Sequence, residues 1–217
     1  MAIVLQNSRY NLTIDSKTII GVMGNDYENF LNSLNGDVYF LNKKNIVSGK
    51  KVSSLIDIDD ANIIKLIKEF KISDTFLNKN TNELSHSEEK ILKYLLMVIS
   101  NKNIIIIDEP FMDLDLFYKK KIILLLNQLV KEKKTVILGS VNSNIIYELC
   151  KKVLFINAND YYYSDIKCFS NQKLLNKYDI DIPYLVEFVE LAKKKNIKLK
   201  YSKDIRDLIK DVYRNVS

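Results

Sequence analysis

The sequence predicts an α/β domain built on a mostly parallel sheet. Residues 104–107 are four consecutive isoleucines, and residues 135–139 read T-V-I-L-G. Unbroken β-branched runs of this kind mark strands buried on both faces, the usual setting of a parallel sheet. Between them, residues 116–132 place Ile122, Ile123, Leu126 and Leu129 at helical spacing, which completes a βαβ unit. At 217 residues and 47% hydrophobic composition, the chain forms one ordinary domain, or one domain plus an appendage.

The other elements follow in order. Residues 11–14 (N-L-T-I) and 18–23 (T-I-I-G-V-M) are short strand-like runs joined by a turn at 15–17. Residues 24–36 read G-N-D-Y-E-N-F-L-N-S-L-N-G: Phe30, Leu31 and Leu34 share a helical face, Asn25 or Asp26 can cap, and Asn35-Gly36 supplies a stop. Residues 38–41 and 52–56 read as further strands, 61–70 as a short helix on Ile63, Ile64, Leu66 and Ile67, and 71–83 as loop. Ser85-His86-Ser87-Glu88 has the form of a capping box, and Ile91, Leu92, Leu95, Leu96 and Ile99 follow at helical spacing until 101–103 breaks the helix. Residues 153–156 and 161–169 suggest a strand pair near the end of the sheet. From Pro183 the pattern turns helical through Leu185, Val186, Phe188, Val189 and Leu191, with a second helix around Ile205, Leu208, Ile209 and Val212.

Composition narrows the function classes. The 33 Lys+Arg against 27 Asp+Glu give a net charge of +6, which reads as a solvated basic surface. A docking surface at a membrane protein and nucleic-acid binding are the functional alternatives, but no aromatic-interleaved basic cluster of the single-strand-binding type is present. Cys150 and Cys168 are too few for a disulfide framework, and with His86, the only histidine, they lack zinc-ligand spacing. A reduced, cytosolic compartment is expected. The opening M-A-I-V-L-Q has no charged stretch leading into an apolar core, and no apolar run approaches a membrane span.

The chemistry-bearing stretch is 104–115, I-I-I-I-D-E-P-F-M-D-L-D. An acidic pair at the carboxyl end of a buried parallel strand sits where open α/β folds place ligands. Asp108 could hold Mg²⁺, and Glu109 could orient or deprotonate a water attacking a terminal phosphate. The plain alternative is two surface carboxylates at a strand exit.

Residues 84–115 as a whole, L-S-H-S-E-E-K-I-L-K-Y-L-L-M-V-I-S-N-K-N-I-I-I-I-D-E-P-F-M-D-L-D, resemble the ATP-binding-cassette (ABC) ATPases. In that family an L-S-G-G-Q signature opens a helix leading to a Walker B strand ending D-E-P and a D-loop ending L-D. Leu84-Ser85 fall on the first signature positions, Asp108-Glu109-Pro110 on D-E-P without a gap, and Leu114-Asp115 on the D-loop. The tail, D-I-P-Y-L-V-E-F-V-E-L-A-K-K-K-N-I-K-L followed by D-I-R-D-L-I-K-D-V, is similar to the C-terminal extension of energy-coupling-factor transporter ATPases.

The resemblance implies an ABC-type P-loop NTPase-like domain over residues 1–168, with a shortened helical subdomain at about 58–101, and a C-terminal two-helix extension over 169–217. It implies ATP and Mg²⁺ as cofactors. Asp108 falls on the metal position, Glu109 on the water-activating carboxylate, and Gly24, Asn25, Ser85 and Asp115 on nucleotide-contact positions. It also implies dimerisation with an intact ABC ATPase subunit or with a second copy, a transmembrane coupling subunit as partner, and a place at the inner face of the cell membrane without nucleic acid.

The sequence departs from the family at several of these positions. A P-loop needs glycines that let N–H groups converge on phosphate, a lysine for the β and γ oxygens, and a Ser or Thr for Mg²⁺. Here the turn is Gly24-Asn25-Asp26-Tyr27-Glu28-Asn29-Phe30, without lysine or a following Ser/Thr, and about three residues short of the motif. Asp26 and Glu28 bring negative charge to a helix start that would otherwise attract anions. His86 and Ser87 replace the signature glycines, Val141 stands at the switch-histidine position, and Asp57 replaces the glutamine after the preceding strand. Tyr10 is the candidate for stacking on adenine. The expectation is a degenerate cassette subunit. The alternatives are an active ATPase in which Asn25, Asn29 and backbone amides replace the lysine, and a scaffold or regulatory protein outside transport.

Overall fold

The structure, a computed structural model, describes residues 2–6, 11–41, 48–56 and 59–216. Tyr10 and Asp57 lie outside these. Strands β1 (Ala2–Gln6) and β2 (Asn11–Asp15) form a separate antiparallel pair. β3 (Ile19–Met23) enters the main sheet and leads through residues 24–26 into α1 (Tyr27–Ser33). β4 (Val38–Leu41) follows, then α2 (Ala61–Glu69), α3 (Asp74–Asn78), α4 (His86–Ile99) and β5 (Ile104–Asp108). α5 (Leu116–Lys131), β6 (Thr135–Gly139), α6 (Ser143–Leu149), β7 (Lys152–Ile156) and β8 (Tyr161–Asp165) complete the sheet. The chain closes with α7 (Gln172–Lys177), α8 (Tyr184–Lys194) and α9 (Ile205–Val216).

The main sheet has six strands in the order β4-β5-β6-β3-β7-β8. All neighbours are parallel except the edge pair β7–β8. The β-branched runs are the central strands because both of their faces are covered. Ile105, Ile107, Val136 and Leu138 point into one cluster with α4, α5 and α6 residues, while Ile106 and Ile137 point into another with Phe30 and Leu31 of α1 and Leu12 and Ile14 of the small pair. Alternate residues of one strand therefore serve opposite layers, as the strand period of two requires.

Several sequence expectations need correction. Residues 52–56 are not a strand: Val52–Ser54 is a 3-10 turn, and among the described residues the only ladder contact nearby is an isolated bridge between Lys51 and Asn80. Residues 71–83 are not plain loop, since α3 and a 3-10 turn at Thr81–Glu83 lie within them, each begun by a side chain that takes a free backbone N–H (Ser73 and Asn80). The last strand stops at Asp165, whose carboxylate accepts from the N–H of Lys167 and begins a 3-10 turn, Ile166–Ser170. α6 had no sequence signal. At the carboxyl end, Phe169, Leu175, Tyr178, Ile180 and Val186 pack into the cluster on the sheet, whereas Val189, Ala192, Leu199 and Leu208 form a separate small core between α8 and α9.

Candidate functional site

The carboxyl ends of β3, β5 and β6 converge, because β6 pairs with both β3 and β5 and Asp108 lies opposite Gly139 in register. Glu109 leaves the sheet in a left-handed conformation, φ 44°, which residues with a side chain rarely adopt. Two bonds to its main chain hold it there. Its N–H donates to the Gly139 carbonyl at 2.9 Å, and its own carbonyl accepts from Lys90 Nζ at 2.7 Å. The turn aims the carboxylate at the segment after β6. Oε1 accepts from the Val141 N–H at 2.7 Å and from the Tyr27 hydroxyl at 3.3 Å, and Oε2 accepts from the Ser140 hydroxyl at 3.1 Å.

Asp108 has the opposite surroundings. Its Oδ1 is buried and has no hydrogen-bond partner among the described residues. Burial, and then the charges of Glu28 and Glu109, push its carboxyl above the ordinary range, with Tyr27 and Lys90 acting against them. Lys90 approaches from α4, only 9% exposed, and its ammonium also lies 3.3 Å from the Asp108 carbonyl. Burial and neighbouring Lys93 pull its pKa down to about 8, while Asp108, Glu109 and Asp113 favour the charged form. Lys93, 4% exposed, pairs with Glu89 at 2.6 Å. A cavity of about 410 Å³ lies here, lined by His86, Lys90, Lys93, Asp108 and Asp113 among others.

The turn after β3 is built differently from a phosphate cradle. Gly24 is at φ +113°, and a methyl group added there would sit 2.1 Å from the carbonyl oxygen of Ile156, so this glycine is required where the turn packs on the end of β7. Asp26 stands at the N-cap of α1 without a side-chain cap bond; its carboxylate accepts from Asn29 Nδ2 at 2.7 Å. The buried ring of Tyr27 lies against Gly139, where an added methyl would be 2.9 Å from Cε2, and burial followed by Asp108, Glu109 and Glu28 raises the Tyr27 pKa. Asn25 is exposed. Ser85 and Asp115 have local work: Ser85 forms a capping box with Glu88 at the start of α4, and Asp115 accepts from the Tyr118 N–H at 2.9 Å at the start of α5.

The structure thus brings Gly24, Tyr27, Glu28, Asp108 and Glu109 together and places Ser85 and Asp115 at helix caps. Sequence reasoning missed Tyr27, Ser140 and Lys90. Lys90 and Lys93 did leave a signal, as two lysines among the buried positions of an apolar helix. For a magnesium–nucleotide, the metal half fits through the orphaned Asp108 oxygen. The phosphate half does not fit: the turn after β3 carries no lysine of its own, and Asp26, Tyr27 and Glu28 stand at the start of α1.

This is the fold of an ABC ATPase domain. Two solved structures share it: an inward-facing conformation of a metal-chelate type ABC transporter, TM-score 0.60 and 14% identity over 78% of this chain and 80% of that one, and a dimeric ATP-binding cassette in a post-hydrolysis state bound to ADP and Pi, TM-score 0.59 and 16% identity over 75% and 96%. In sequence the chain is similar to ABC transporter ATP-binding proteins, energy-coupling-factor transporter ATPases among them. One from Oenococcus oeni is 24% identical over 151 residues, covering 68% of this chain and 52% of the relative. One from Mycoplasma capricolum is 26% identical over 147 residues, covering 66% and 50%. A zinc import ATP-binding protein of Ehrlichia ruminantium is 27% identical over 124 residues, covering 57% and 47%. The chain spans about half the length of the curated relatives it matches. No family model matches it.

Proposed function

We propose that this chain is a degenerate cassette subunit that keeps the ABC ATPase fold without a working phosphate site of its own, and that it acts beside an intact cassette ATPase at an energy-coupling-factor-like uptake transporter. The observation that carries this reading is the state of Glu109. Both carboxylate oxygens are engaged by Tyr27, Ser140 and Val141, and the Tyr27 ring covers Gly139 beside the turn that in an ATPase would hold phosphate. Three of a carboxylate's roughly four acceptor positions are then taken, and an attacking water would have to share Oε2 with Ser140. Losing one preorganised donor to developing charge costs about 10²–10³ in rate, and this turn lacks several.

The transport setting is supported by the relatives, whose names place them in energy-coupling-factor and metal uptake systems, and by the dimeric cassette among the structural neighbours. No helix among the described residues is long and apolar enough to cross a membrane, so in this reading a separate transmembrane coupling subunit supplies the pathway and this chain docks on its inner face. Residues 1–168 are then the cassette, and 169–217 an extension rooted in the cassette core through Phe169 and Tyr178.

A second reading, an active ATPase with a non-standard loop, is favoured by one observation: the Asp108 Oδ1 that lacks a partner and is free to meet a cation. ATP turnover separates the two. The isolated chain is expected to show none above background, and a mixture with its intact partner is expected to turn over equally well when Glu109→Gln is placed in this chain. Turnover by the isolated chain that Glu109→Gln abolishes would establish the second reading.

A further inference from the structure

The Glu109 carboxylate is tied to the C-terminal helices by an unbroken series of hydrogen bonds. Ser140, fully buried, donates its hydroxyl to Glu109 Oε2 at 3.1 Å, and its oxygen accepts from the Asn142 N–H at 3.0 Å. Asn142 caps α6: its Oδ1 accepts from the Asn144 N–H at 3.0 Å and from Asn144 Nδ2 at 3.2 Å. Asn144 Oδ1 in turn accepts from the Tyr184 N–H at 2.8 Å, and Tyr184 is the first residue of α8.

The last bond has a clear physical purpose. The first N–H groups of a helix have no partner within it, and the residue before the first turn usually supplies one from its side chain. Pro183 stands at that position in α8, and its ring offers no acceptor, so α8 has no side-chain cap of its own. The cap is delivered from α6. Each member of the series is oriented by the one before it, and the bond that Ser140 donates to Glu109 polarises its oxygen toward accepting from Asn142. α8 contributes Val189 and Ala192 to the small core that also holds Leu208 of α9, so the first turn of α8 is where that core joins the site.

We infer that the state of the Glu109 carboxylate sets how firmly the first turn of α8 is held, through Ser140, Asn142 and the Asn144 cap. This coupling does not depend on whether the site binds nucleotide. Any event that draws Glu109 away from the segment after β6 loosens the start of α8, and anything that fixes α8 favours the bonded carboxylate, since coupling between sites is reciprocal.

Residue-resolved amide hydrogen exchange at Tyr184 and Glu187 tests it, with the amides of β3 as internal reference. Asn144→Ala is expected to speed exchange about fivefold, the effect of removing a typical helix cap. Asn144→Asp, which keeps the acceptor, is expected to retain the native rate. Ser140→Ala and Glu109→Gln, which alter neither Asn144 nor the bond it accepts from Tyr184, are each expected to speed the same two amides while β3 is unchanged. If Asn144→Ala acts but both distant variants leave Tyr184 and Glu187 at the native rate, Asn144 is a local cap and the coupling is refuted. Equal acceleration in β3 would refute it too, because the effect would then be global loss of stability.

Discussion

Glu109 combines a left-handed backbone with a carboxylate bonded on both oxygens, and each neighbour that holds it makes a separate demand on sequence. Gly24→Ala places a methyl 2.1 Å from the Ile156 carbonyl at φ +113°; it is expected to cost at least about 2 kcal/mol in urea unfolding, from strain and displacement of backbone. Gly139→Ala drives a methyl to 2.4 Å from Leu31 Cδ1 and into the Tyr27 ring; overpacking of this sort costs about 1–3 kcal/mol. Lys90 gives a pH signature. Its folded pKa of about 8 lies below the ordinary 10.5, so the unfolded chain binds more protons between these values and stability rises with pH across that window. The rise amounts to up to about 3 kcal/mol, and Lys90→Met should flatten it when unfolding is followed at pH 7 and pH 10. Some slope remains in the variant, since burial also lowers the pKa of Lys134 and Lys203. Of this site the sequence made Asp108, Glu109 and Gly24 legible, because motif spacing exposes them. Tyr27 and Ser140 were hidden because their roles arise only where β3, β5 and β6 end together.

At the scale of elements, what was legible depended on length and period. The strands at 104–107 and 135–139, the helix at 116–132 and the capping box at 85–88 run long enough, or carry a specific enough signal, to show in sequence. α6 spans seven residues and α3 five, too few to display a helical period. Residues 52–56 have strand-like composition, but the isolated bridge from Lys51 to Asn80 gives them no continuous partner, and the chain turns instead. Ser85 and Asp115 show why a motif match and a structural role coincide. Each is read as a cassette position from its neighbours in sequence, and each caps the helix that follows it. Ser85→Ala and Asp115→Ala are therefore each expected to cost about 1 kcal/mol of stability in the isolated chain without any nucleotide present. Unchanged unfolding midpoints would remove the capping explanation for their presence.

At the scale of the molecule, the six-stranded sheet and its helical layers are those of an ABC ATPase domain, and the turn that faces the acidic pair carries Asp26, Tyr27 and Glu28 in place of a lysine. A sheet needs its central strands for stability whatever becomes of its ligand, which is reason enough for residues 104–107 to persist. The turn at 24–26 carries no such obligation beyond Gly24, and in the proposed reading Asp26, Tyr27 and Glu28 take the place of its phosphate chemistry. That difference in constraint is the centre of the proposal. It is tested most directly by the thermal unfolding of the purified chain over a titration of Mg-ATP into the millimolar range. The expected result is a midpoint that does not move. A saturable rise in the midpoint, abolished by Asp108→Asn, would contradict it and show that this cassette still binds its nucleotide.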